Sequence, residues 1–236
     1  MDDKVLISQL SSGLNIHDEN TKTFFEIEPS DDRWSTFRAI SKIIQFGRLF
    51  YGGSDRGIYS KVRTAAPDSG LSFSEFVKAV SKYFEDHPDF AEFVDSVQRL
   101  AREERISVNG YGRIRNLYGN SQAISRQALN SPIQGTAADF VSNVIVKLWD
   151  RGLGNKYRSY IALQVHDELL FMVYDDERDE VFRIIHEEMT REQEILNYKG
   201  EKVRFSVPID AEVGQNWGTM EGIDLLTGEI KGESKH

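Results

Sequence analysis

The sequence predicts an α+β chain: a helical domain over residues 1–120, then an α+β domain over residues 121–236 that carries an antiparallel sheet. Three observations predict it. Apolar residues recur at helical spacing through the first two thirds of the chain. A turn-rich stretch, Asn109 to Asn120, then interrupts that pattern. Beyond it, Tyr160 to Val173 holds two strand-like apolar runs around a tight polar turn, and Val203 to Val213 reads as extended.

In chain order, Val5, Leu6 and Leu10 share one face of a short opening helix that stops at Gly13. Asp32 to Tyr51 reads as one uninterrupted helix, closed by Gly52 and Gly53. Phe73, Phe76, Val77, Val80 and Phe84 form a third helical face, and Phe90, Phe93, Val94, Val97 and Leu100 a fourth. Ser121 to Asp150 is helical, with a kink or restart expected at Pro132 and Gly135. His166 and Asp167 turn a hairpin between two buried runs, Asp179 to Glu194 returns to helix, and a polar tail follows Val213.

Composition bounds the function. At 236 residues and 39% hydrophobic, the chain supports one substantial core or two modest domains. It holds no run near the roughly 18 apolar residues that span a bilayer, and its first residues are acidic and mixed, so an unprocessed, cytoplasmic protein without a membrane partner is expected. A bacterial or phage-infected cell is the expected setting. The absence of cysteine excludes disulfides, zinc knuckles and thiol catalysis. The net charge of −9 opposes nucleic-acid binding on average. Yet Arg33 to Arg63 holds seven basic residues and one acid, Asp55, or about +6 by subtraction. That strip suits phosphates, the alternative being a solvated helix face.

The hairpin is the most informative segment. A two-residue turn between apolar strands favours Asn-Gly or Asp-Gly, whereas this one carries His166, Asp167 and Glu168. Hard cations such as Mg²⁺ take one or two protein carboxylates plus substrate phosphates, so Asp167 suits phosphoryl transfer. An ordinary solvated turn is the alternative. The run VHDE between two strands resembles motif C of the family A DNA polymerases. Arg126 to Asp139 (RQALNSPIQGTAAD) is similar to the helix preceding motif C in that family, and Ile209 to Trp217 (IDAEVGQNW) resembles its terminal strand with the closing Gly-x-x-Trp.

Arg38, Lys42, Phe46 and Gly47 are similar in register to the family's fingers helix. Positions i, i+4 and i+8 share a helix face, so guanidinium, ammonium and ring point at one ligand. The resemblance implies Arg38 on the terminal phosphate of a deoxynucleoside triphosphate, Lys42 nearer the α-phosphate and Phe46 against the sugar. It also implies His17, in Asn15-Ile16-His17, on the leaving phosphates, with Asn15 in place of the family's usual acid. The family's Tyr-Gly pair stands one residue earlier than here, so either Phe50 or Tyr51 takes the templating-base contact. Gly112, Arg113 and Arg115 resemble, more weakly, an arginine-rich fingers–palm border segment. Arg126, Asn130 and Gln134 are implied to contact primer-template DNA.

The resemblance implies fingers over residues 1–120 and the C-terminal half of the palm over 121–236. It also implies that Asp167 binds catalytic Mg²⁺, that Glu168 supports that site, and that His166 shapes the hairpin near the primer end. Motif A, an Asp-Tyr-Ser-x-Ile-Glu strand bearing the other metal aspartate, is absent from this sequence. The expectation is therefore one subunit of a split DNA-directed DNA polymerase, whose N-terminal partner chain supplies motif A and thumb and shares one or both of two Mg²⁺ ions. A non-catalytic DNA- or nucleotide-binding remnant is the alternative, and an excised fragment a third reading.

Overall fold

A computed structural model describes residues 3–12 and 14–232 of the chain. Gly13, expected to close the first helix, lies outside the described residues, as does the side chain of Leu10. Mixed helix and short antiparallel strands confirm the α+β class. No helix among the described residues is long and apolar enough to cross a membrane. Two compact units divide the chain: residues 1–135 with 196–201, and residues 136–195 with 202–236. The division falls inside a helix rather than ahead of it.

In the first unit, α1 (Lys4–Ser11) buries Leu6 but leaves Val5 exposed, so these neighbours do not share a face. Next come α2 (Ile16–Phe25), α3 (Trp34–Ile44), α4 (Asp55–Ala65), α5 (Phe73–Asp86) and α6 (Pro88–Glu104). The expected helix from Asp32 to Tyr51 is not uniform. It is α-helical only to Ile44 and widens to a π-helical turn over Gln45–Phe50. Helices α2 and α4 were not foreseen. Asn15 caps α2 by accepting from the backbone of His17 and Asp18, and Ser54 caps α4. Around Ile40, Ile44, Leu49, Val62, Phe76 and Phe90 an aromatic-rich core closes, each fully buried side chain contributing about 1.5–3 kcal/mol. Phe73 stays partly exposed and stacks on Phe76. The turn-rich stretch holds a small hairpin, β1 (Ile106–Val108) against β2 (Ile114–Asn116).

Helix α7 (Ser121–Asp150) runs through Pro132 without the expected restart. Proline withholds one N–H from the ladder, and the turns on either side carry the helix across that gap.

In the second unit, β3 (Tyr160–Val165) and β4 (Glu168–Met172) pair antiparallel, with Val165 opposite Glu168. The expected hairpin is present, but its strands are only half covered. Ile161, Leu169 and Phe171 pack on a core built from Val144, Leu148, Val181, Ile184 and Ile185, while Tyr160, Leu163 and Met172 remain exposed. Helix α8 (Arg178–Thr190) ends four residues short of Glu194, because Gln193–Leu196 (β5) instead pairs with Lys202–Phe205 (β6). The polar tail is structured too. Strands β7 (Glu212–Val213), β8 (Glu221–Ile223) and β9 (Ile230–Gly232) form a three-stranded sheet.

One buried acid ties the start of the first unit to its core. The Asp3 carboxylate accepts from the N–H of Leu6 (2.8 Å) and of Phe90 (3.2 Å) and meets His87 Nδ1 at 3.2 Å. His87 stacks on Tyr83, ring centroids 4.2 Å apart, and burial pushes the Tyr83 phenol well above its usual range, with the Asp3 charge adding to the effect. Removing the carboxylate leaves two backbone donors and a buried imidazole unpaired. Asp3→Ala should therefore lower the unfolding free energy by about 2–4 kcal/mol. Urea denaturation followed by circular dichroism measures it, and a loss under about 0.5 kcal/mol would show that this network is not holding α1 to α6.

Candidate functional site

The rotation of α3 is set by Phe37, Ile40, Ser41 and Ile44, all buried. At about 100° per residue, that leaves Arg38 and Lys42 turned from the core and only partly covered. Arg38 Nε donates to Asp18 Oδ1 at 2.5 Å, and its Nη2 lies 3.5 Å from Asn15 Oδ1. Lys42 makes no ion pair among the described residues. Phe46 is 43% exposed, and the His17 ring sits 5.7 Å from it, centroid to centroid. His17 Nδ1 hydrogen-bonds to Oε1 of the buried Gln45 at 2.7 Å. That acceptor favours the tautomer protonated at Nδ1 and leaves Nε2 for a ligand. The sequence reading missed Asp18 and Gln45. Neither carries a signal in linear spacing, because their partners lie 20 and 28 residues away.

The π turn seats Phe50 and Tyr51 differently. Its closing bond runs from the Tyr51 N–H to the Phe46 carbonyl, five residues back, at 2.9 Å. One extra residue is thus absorbed in a single wide turn. Phe50 turns inward, its ring 6.0 Å from that of Phe90, while Tyr51 is left 43% exposed. Two glycines allow the turn to sit there. A Cβ at Gly47 would meet Ile58 Cδ1 at 2.7 Å, and one at Gly53 would meet the Gly47 carbonyl oxygen at 2.7 Å. Within the same unit, Arg126, Asn130 and Gln134 stand at i, i+4 and i+8 on α7. Arg126 and Gln134 are exposed, and the buried Oδ1 of Asn130 has no hydrogen-bond partner. Arg115 and Arg113 brace this stretch. Their guanidinium groups donate to Ser131 Oγ at 3.0 Å and to the Gly135 carbonyl at 3.4 Å.

In the second unit the hairpin tip presents His166, Asp167 and Glu168, all exposed. His166 has φ of 55°, a left-handed conformation that costs a residue with a Cβ and normally calls for glycine or asparagine. The Gln164 side-chain amide steadies it by donating to the His166 carbonyl at 3.1 Å. Asp167 and Glu168 make no ion pair or side-chain hydrogen bond among the described residues. Their oxygens are therefore free for a hard cation. No group of three acids, histidines or cysteines among the described residues is placed to hold a metal ion; Asp167 and Glu168 would serve Mg²⁺ only with further oxygens from elsewhere.

Comparison with known proteins gives a consistent answer. The family described as DNA polymerase family A matches residues 1–219. DNA polymerase I of Caldicellulosiruptor bescii is 32% identical over 228 residues, covering 92% of this chain and 24% of that protein. DNA polymerase I of Streptococcus pneumoniae is 30% identical over 224 residues, with 91% and 24% covered. Among solved structures, the POL domain of Pol1 from M. smegmatis, in complex with DNA primer-template and dNTP, is similar at a TM-score of 0.65 and 30% identity. It covers 80% of this chain and 33% of its own. The chain thus spans about a quarter of the length of the curated relatives it matches.

The inward Phe50 and outward Tyr51 separate in stability. Phe50→Ala opens space beside Phe90 and should cost about 1–3 kcal/mol, below a fully buried phenylalanine because the ring is only half covered. Tyr51→Ala should stay within about 0.5 kcal/mol of the parent. Equal losses in chemical denaturation would mean that the two rings are seated alike and that the π turn does not sort them.

Proposed function

The chain belongs to DNA polymerase family A, and from that premise we propose that it supplies the nucleotide-binding and part of the metal-binding machinery for template-directed nucleotidyl transfer from a dNTP to a primer 3′-OH. The carrying observation is that His17, 29 residues before Phe46 in the sequence, lies with its ring 5.7 Å from that of Phe46, on the α3 side that also bears Arg38 and Lys42. A histidine, two cations and an exposed ring on one surface suit a triphosphate with a sugar behind it. In this reading residues 1–120 act as fingers and 121–236 as the C-terminal half of the palm. Tyr51 rather than Phe50 faces the template, since only Tyr51 is open to a ligand. Arg126, Asn130 and Gln134 contact primer-template DNA along one face of α7.

Asp167 would hold Mg²⁺, with Glu168 beside it and His166 shaping the turn. When bound, a cation pair supplies activation of the 3′-oxygen and charge stabilisation on the departing pyrophosphate. One carboxylate of first rank does not hold such a pair. A second acidic ligand has to come from a polypeptide other than the 236 residues seen here, either continuous with them or a separate partner chain bearing motif A and thumb. The half-covered β3–β4 hairpin, with no third strand among the described residues, is consistent with a missing neighbour.

The 236-residue chain by itself should extend no primer, and adding a polypeptide that supplies motif A and thumb should restore synthesis. Template-directed extension by the isolated chain would refute the shared-site reading. In the complete polymerase, Asp167→Asn should slow nucleotide addition by about a thousandfold or more, because a lost metal ligand removes several kcal/mol of transition-state stabilisation. Primer-template affinity should change less than about twofold. A variant that kept a tenth of the parent rate would remove Asp167 from the metal site.

A further inference from the structure

We propose that Asp18 is a positioning residue that competes with the nucleotide's phosphates for Arg38. The carboxylate is then an internal occupant of the triphosphate site, exchanged for phosphate as nucleotide binds and restored as pyrophosphate leaves. This rests on the nucleotide-binding reading of α3 given above.

The contacts of Arg38 are unequal. Its Nε bond to Asp18 is short, 2.5 Å, and joins opposite charges. Its approach to Asn15 Oδ1, at 3.5 Å, is at the limit of a hydrogen bond, and that oxygen already accepts from the N–H groups of His17 and Asp18. Asp18 is therefore the group that holds the guanidinium. It stands in the first turn of α2, directly after His17, where the helix N-terminus favours its charge. Both partners remain reachable, with side-chain exposures of 29% for Arg38 and 36% for Asp18, so an anionic ligand can enter without unfolding anything. Lys42, one turn along, has no such partner among the described residues. Before nucleotide arrives the surface thus offers two cations against one acid. A phosphate that engages Arg38 either displaces Asp18 or sits against its charge, and both weaken phosphate binding relative to a site without the acid.

The complete polymerase, with the parent chain, Asp18→Asn, Arg38→Ala and the double variant, tests this by steady-state kinetics. Asparagine keeps the shape and the helix position, so only the charge is removed. Asp18→Asn should lower the dNTP KM about two- to fivefold, the range a part-exposed ion pair supports. It should strengthen inhibition by inorganic pyrophosphate by a similar factor, without raising kcat. In the Arg38→Ala background, Asp18→Asn should change neither quantity by more than about 1.5-fold. A raised KM in Asp18→Asn would show that the acid only orients Arg38, and an equal drop with and without Arg38 would show a bulk charge effect. Either overturns the proposal. An unchanged KM in Arg38→Ala would instead sink the triphosphate assignment itself.

Discussion

Every contact that Arg38 and Lys42 can make depends on how α3 is rotated about its own axis, and four buried residues hold that rotation. Ile40 and Ile44 are fully enclosed, and Phe37 nearly so. Ser41 is tolerated beside them because its hydroxyl donates to the Phe37 carbonyl at 2.8 Å, which removes the cost of burying it. A helix pinned on this side has no freedom to present Arg38 and Lys42 anywhere but opposite. After Ile44 the same core captures Leu49. To reach it while keeping Tyr51 outside, the backbone takes the wide turn. The π segment is thus what a core of this shape requires of a chain with one residue more than an α-helical turn accommodates.

Charge is arranged around that axis rather than along the sequence. Three of the seven basic residues from Arg33 to Arg63 are paired within the first unit: Arg33 with Asp31, Arg38 with Asp18, Arg48 with Asp55. The Arg33 guanidinium holds the Asp31 carboxyl at about 2, below the usual carboxylate range. Formal counting thus overstates the positive field seen by an approaching phosphate, and local pairing decides which cation is available first. At the hairpin tip the opposite holds. Asp167 and Glu168 are exposed and have no ion-pair partner among the described residues, so they stay open to a cation.

Much of this was legible in the sequence where local pattern and tertiary structure agree. The VHDE hairpin closes on the expected two-residue turn, and the helices around Phe76 and Phe90 form where apolar spacing puts them. Legibility failed where a distant partner decided the outcome. Gln193 to Leu196 has acceptable helix formers, yet strand pairing with Lys202 to Phe205 claims it. The wide turn after Ile44 depends on Leu49 and on the close approach of Ile58 to Gly47, neither of which has a periodic signature. Asp3 reads as one more acid in an acidic start, and only burial against His87 reveals its task. Asp18 escaped notice for the same reason, since its significance lies in Arg38 rather than in its neighbours.

Central to the proposed function are two separate assignments: Arg38 and Lys42 on α3 to a nucleotide's phosphates, and Asp167 on the hairpin to a divalent cation. They are tested most directly by an experimental structure of the complete polymerase with primer-template, a non-hydrolysable dNTP analogue and Mn²⁺, whose anomalous signal marks the metal. The prediction is a peak at about 2.0–2.3 Å from an Asp167 carboxylate oxygen and, as a separate observation, triphosphate oxygens in contact with Lys42 and Arg38. A peak remote from Asp167, or a triphosphate bound away from α3, would contradict it.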